Sequence, residues 1–273
     1  MAAVAAGAWW LGQPPPDSPS ATIEPAAAAE SLAEADEDAI LALRPAAPVL
    51  LRLAGESRVF VLVFPDLAAQ AATMNRVAAL VEKAGFARDR LATYEELATA
   101  IAARGETPAT WYLAHDYSAA DLARFFQLAA SRNQALTAEE AWLQARLAPL
   151  RRGNEPDDFA LLTLTATAPG SDEAMRAAVL RHEVSHGRFF TRPAFAERVM
   201  AIWREGMTAG ERAAFTDFLA GEGYDTGNDR LMANEAMAYL AFTPDPRLFK
   251  PATIGLAPER AAVLRRLYER ALD

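Results

Sequence analysis

Two hydrophobic rhythms divide the chain. Up to about residue 170, short apolar runs bounded by turn residues alternate with stretches whose apolar positions recur every three or four residues; beyond it only the helical rhythm remains. Residues 49–54 and 58–64 (RVFVLVF), separated by Gly55, predict two strands. Residues 66–84 place Leu67, Ala71, Met74, Val77, Leu80 and Val81 at helical spacing, with Asp66 as a cap. A helix over 91–103, a strand over 110–115 (TWYLAH), helices over 118–131 and 137–147, and a strand over 158–167 (DFALLTLTAT) follow. Helices are then expected over 171–190 with Ser171 as cap, 193–204, 208–220, 228–242 and 257–272. Strands first and helices last predict an α+β fold: a small mixed sheet, packed helices and an all-helical C-terminal lobe.

Residues 1–35 break both rhythms. The uncharged start MAAVAAGAWWLG is too short to span a bilayer, which takes about 20 residues, and reads as the tail end of an export signal. A Pro/Ala/Ser-rich acidic stretch follows, expected to be a disordered linker. This leaves one domain over 36–273, with an α/β lobe to about residue 190 and a helical lobe after it. The expectation is an exported protein of the periplasm or envelope, its N-terminal segment near a membrane; a cytoplasmic protein is the alternative.

Charge sharpens the picture. Lys plus Arg number 27 against 36 Asp plus Glu, a net charge of −9, yet seven acids precede the first base, Arg44. The remaining 29 acids nearly balance the 27 bases. No basic face exists to neutralise phosphates, so a nucleic-acid partner is not expected. The absence of cysteine excludes disulfides, thiolate catalysis and Cys-ligated metals.

Two of the three histidines fall in His182-Glu183-Val184-Ser185-His186. Residues four apart share a helical face, so both imidazoles can reach one cation, while Glu183, one step round, can touch a water beside it. The stripe Met175, Ala178, Val179, His182, His186, Phe189 turns both histidines toward the core, where a partner is needed. The competing reading is two core histidines with ordinary hydrogen bonds. A tetrahedral catalytic zinc takes a third protein ligand and leaves a position for water. Glu235, 49 residues after His186, shares a helix face with Leu231, Met232, Ala238 and Tyr239, and an acid on an apolar face calls for a cation; pairing with nearby Arg230 is the alternative. The acids of GEGYDTGND lack EF-hand spacing, and this stretch reads as a loop with a helix cap at Asn228.

HExxH followed by NExxA on a later helix (Asn234–Ala238) resembles the gluzincin branch of the zincin metallopeptidases. The metzincin pattern is excluded, because no third histidine follows His186 at the required spacing. The resemblance implies a Zn2+ cofactor held by His182, His186 and Glu235, Glu183 as general base to a metal-activated water, and a peptide or protein substrate. It further implies that residues 159–167 form an edge strand that pairs with extended substrate. Tyr239 and Tyr224 are candidates for stabilising the oxyanion, and His115, closing the upstream strand, for reaching the cleft; helix capping by Asp116 or Ser118 is the plainer role there. No acid lies between His186 and Glu197 to orient the second histidine, which leaves Asn234 as the candidate. Two alternatives stand beside the peptidase: a binding protein with a structural or vestigial metal site, and a metal-free helical interaction domain.

Overall fold

The computed structural model describes residues 32–153 and 159–273, which form one compact unit beginning at Leu32. The expected signal remnant and most of the expected linker lie outside the described residues. The linker boundary moves, however. Glu34–Ala35 form a short strand (β1) paired parallel to β2 (Val49–Leu53), and Asp36 caps helix α1 (Glu37–Ala42) by accepting from Ala39 N. Ordered structure therefore starts before residue 36, because Ala33 O and Ala35 O accept hydrogen bonds from Arg52 N and Ala54 N.

β2 turns back antiparallel into β3 (Val59–Asp66). Helices α2 (Leu67–Val81) and α3 (Tyr94–Ala103) lead to β4 (Asp116–Ser118). After α4 (Ala119–Ser131) and α5 (Ala138–Gly153), β5 (Ala160–Thr167) inserts parallel to β3 and antiparallel to β4. The sheet order is β1-β2-β3-β5-β4, mixed as expected, and the fold is α+β. Alternation along β3 serves two cores: Phe60, Leu62 and Phe64 face α2 and α4, while Val59, Val61 and Val63 face α1 and α6 (Glu173–Thr191). A sheet covered on both sides explains why β3 is apolar nearly throughout instead of alternating apolar with polar.

The C-terminal lobe comprises α7 (Pro193–Ala201), α8 (Ala209–Gly221), α9 (Asp229–Met237) and α10 (Pro258–Ala271), around Phe189, Phe195, Trp203, Phe215 and Tyr268. Helix α6 belongs to both lobes: Leu180 and Val184 enter the sheet core and Phe189 the helical one.

Three local expectations are corrected. Residues 110–115 are irregular and the strand lies later, at Asp116–Ser118, where the chain pairs in register with β5; Trp111 and Tyr112 instead pack their rings around Lys83. Helix α6 is capped by Asp172, not Ser171, through Asp172 Oδ1 and Met175 N at 2.8 Å. The single helix expected over 228–242 ends at Met237 and continues as a π-helical turn, Ala238–Phe242, and α7 ends likewise in a π turn at Ile202–Gly206.

The seat of α6 on the sheet depends on Gly187. A Cβ there would lie 2.9 Å from Val59 Cγ1 and 3.3 Å from Leu162 Cδ1, and Val59 is fully buried with a stiff branched side chain. Ala normally stabilises a helix interior over Gly by about 1 kcal/mol, but overpacking costs roughly 1–3 kcal/mol. Gly187→Ala should therefore lower unfolding free energy by up to about 2 kcal/mol in denaturant titration; a stabilised variant would show that the helix has room to spare.

A candidate metal centre

Burial of α6 decides the state of its polar groups. His182, Glu183, Ser185 and His186 are all buried, and the two imidazoles face each other with Nε2 to Nε2 at 3.0 Å. Glu235 on α9 meets both: its Oε2 is 3.8 Å from His182 Nε2 and its Oε1 is 3.8 Å from His186 Nε2. Bonds of about 2 Å at tetrahedral angles separate ligand atoms by about 3.3 Å, a spacing these distances bracket. Arg230, the alternative partner for Glu235, lies instead over the Phe189 ring, 4.4 Å from its centroid. The donor set, two imidazoles and a carboxylate, fits a divalent zinc-like ion. Glu235 Oε2, buried without a hydrogen-bond partner, is the group a cation would satisfy.

The supporting hydrogen bonds fix how His182 presents itself. Thr243 Oγ1 donates to Ala238 O at 2.9 Å, spanning the π turn, and so accepts from His182 Nδ1 at 2.7 Å. The proton sits on Nδ1, and Nε2 is left with its lone pair toward Glu235. Asn234 stands beside His186. Asn234 Oδ1 and His186 Nδ1 are both buried without a hydrogen-bond partner, yet the Asn234 side chain is near enough to act against the lowering of the imidazole's pKa. Burial keeps both imidazoles neutral: it pushes His182 well below its ordinary range, helped by His186, and lowers His186 to about 4. Burial, and then neighbouring carboxylates, push Glu183 and Glu235 well above the ordinary range.

A cleft of about 380 Å³ opens onto His182 and Glu183 between walls that include Tyr112, Tyr224 and Tyr239. Tyr239 packs its ring 4.9 Å from that of His182, and Tyr224 lies over Lys83 Nζ at 4.7 Å. Burial first, and Glu235 second, raise both phenols well above their usual range, so each remains a proton donor. His115 does not line the cleft. Tyr117 Oη donates to Glu82 Oε1 at 2.9 Å, so His115 Nδ1, 3.0 Å from Tyr117 Oη, donates to that phenol oxygen. The expected substrate-binding edge of β5 is also taken. Phe159 O accepts from Ala119 N, Leu161 pairs with Tyr117, Thr163 N donates to His115 O, and Thr165 O accepts from Arg176 Nε at 2.7 Å.

Two residues that sequence reasoning did not place here stand beside the centre. Ser118 caps α4 with Asp121 closing the capping box, which frees Asp116; its Oδ2 lies 3.7 Å from His186 Nε2. Glu82, at the end of α2, is buried next to it in the same pocket. The signal for Asp116 was its place directly after a histidine at a strand start. Glu82-Lys83 carried none, since adjacent opposite charges normally mark an exposed helix end.

No family model matches the sequence, and no curated protein or solved structure matches it either.

Thr243→Val keeps the volume but removes the acceptor of His182 Nδ1, and should weaken zinc affinity about tenfold or more in competition with a chromogenic chelator; unchanged affinity would remove Thr243 from the account. His115 is neutral in the fold down to about pH 3, chiefly through burial and then through Lys83. As pH falls below about 6.5 the unfolded chain binds a proton that the fold refuses, so this group erodes stability progressively toward pH 3. His115→Gln should flatten the stability profile between pH 6.5 and 4, measured by denaturant unfolding; parallel profiles would contradict the assignment.

Proposed function

We propose that this protein is a zinc-dependent metallopeptidase, with His182, His186 and Glu235 holding the ion and Glu183 acting as general base. The observation that carries the reading is the convergence of these three side chains from two distant helices, with His182 and Glu183 also facing a cleft. A zinc ion there would supply Lewis acidity, polarising the scissile carbonyl and making a water easier to deprotonate. Glu183 Oε2 is buried without a partner, and burial, then the neighbouring Glu235 carboxylate, raises its carboxyl well above the ordinary range. It takes the proton of the attacking water and passes it to the leaving amine. The neutral phenols of Tyr239 and Tyr224 are the donors available to a developing oxyanion.

Because the β5 edge is occupied, the peptide is held by the aromatic walls of the cleft, chiefly Trp111, Tyr112 and Tyr224. That favours short or locally unfolded substrate over a long extended segment. Among the described residues no helix is long and apolar enough to cross a membrane. Export, with the N-terminal segment near a membrane, remains part of the proposal.

One observation favours a second reading. Asp116 stands 3.7 Å from the His186 nitrogen that would bind the metal, and four protein ligands would close the site as in a structural centre. Glu183→Gln separates the two. For a peptidase, turnover of a quenched-fluorescence peptide mixture falls by at least about 100-fold while bound zinc stays constant. Full activity in that variant would contradict the role of Glu183, and a zinc-loaded wild-type protein inert toward peptides would favour the structural reading.

A further inference from the structure

We infer that the pocket is built for two cations: a second position lies among Glu82, Asp116 and Glu235, beside the histidine site and sharing Glu235 with it. The inference rests on the metal centre proposed above and extends it. Three overlapping sets of side chains bring one ligand atom each within 4.8 Å of one another: His182, His186 and Glu235; Asp116, Glu183 and His186; and Glu82, Asp116 and Glu235. The third set contains oxygen donors only, and it recruits residues from α2, β4 and α9.

Proximity of acids is not sufficient, and two further observations point to a ligand. Glu235, 1% exposed and itself a member of the third set, is an unpartnered side chain: its Oε2 finds no hydrogen bond. Glu82 is held from behind. The chain His115 to Tyr117 to Glu82 delivers a phenol hydrogen bond to Oε1 in the interior, the way a ligand carboxylate is oriented in metal sites. Among the described residues, no hydrogen-bond donor reaches the Asp116 carboxylate; its contact is the His186 imidazole at 3.7 Å.

Charge permits a second ion. Three buried carboxylates (Glu82, Glu183 and Glu235) and the partly buried Asp116 stand together with one lysine, Lys83, whose Nζ is turned to Glu222 O at 2.8 Å. A single divalent ion leaves this set net negative by one charge if all four are ionised, whereas a second leaves it net positive by one and able to attract an anionic ligand. Neighbouring ions bridged by a carboxylate are a known hydrolytic arrangement, suited to clamping both the attacking and the leaving atoms. Oxygen-only donors favour hard ions such as Mn2+ or Mg2+, whereas the imidazole pair favours Zn2+, so the two positions differ in preference.

The test uses the full chain loaded with one equivalent of Zn2+ and titrated with MnCl2, with free Mn2+ counted from its six-line electron paramagnetic resonance signal. Saturable uptake of one Mn2+ per chain is expected, with zinc retained. Glu82→Gln and Asp116→Asn should each weaken manganese uptake at least tenfold while one zinc stays bound. Zinc retained with no saturable manganese uptake overturns the second position alone, as does uptake unchanged in both variants. Failure to retain zinc at all overturns the histidine centre and this inference together. The wild-type titration decides the matter even where one variant does not fold.

Discussion

A helix whose polar residues have nowhere to go but inward governs this structure. Helix α6 lies between a sheet covered on both faces and a helical lobe, and its segment from His182 to Gly187 is buried. Water cannot solvate these imidazoles and the carboxyl beside them, so the protein must supply partners or pay in stability. The partners present trace to this demand: Thr243 hydrogen-bonds His182, and Glu235 lies between the two imidazoles, with Asn234 beside His186.

The fold meets the demand by combining distant elements. The sheet positions α6 through the close approach at Gly187 and brings Asp116, the first residue of β4, to its flank. Helix α9 delivers Asn234 and Glu235, and its π-helical continuation brings Thr243 back to within hydrogen-bond reach of His182. A regular helix through the same residues would place Thr243 differently, which gives the π turn a role in the centre as well as in the chain path.

The sequence-level reading succeeded where local pattern and burial coincide. Strands β2, β3 and β5 were legible from β-branched apolar runs, and the closeness of His182, His186 and Glu235, though not their role, from the histidine spacing and an acid on an otherwise apolar helix face. It failed where long-range closure decides. Asp116 and Ser118 both read locally as helix-entry caps; Ser118 takes that role and leaves the Asp116 carboxylate to the pocket, which local pattern does not show. Glu82 and Lys83 carry no sequence signal of a site, yet both are buried because the end of α2 is covered by Trp111, Tyr112 and Tyr224. The free edge expected of β5 was lost to β4 and to Arg176, partners separated from it in sequence and invisible to periodicity.

The central claim is that one zinc ion sits between the imidazoles of α6 and the carboxylate of α9. X-ray absorption at the zinc edge on the zinc-loaded protein tests it most directly. The account predicts a first shell of nitrogen and oxygen at about 2.0–2.1 Å with the outer-shell scattering of two imidazoles. A spectrum without imidazole scattering, or a protein that releases its zinc on desalting, would contradict it.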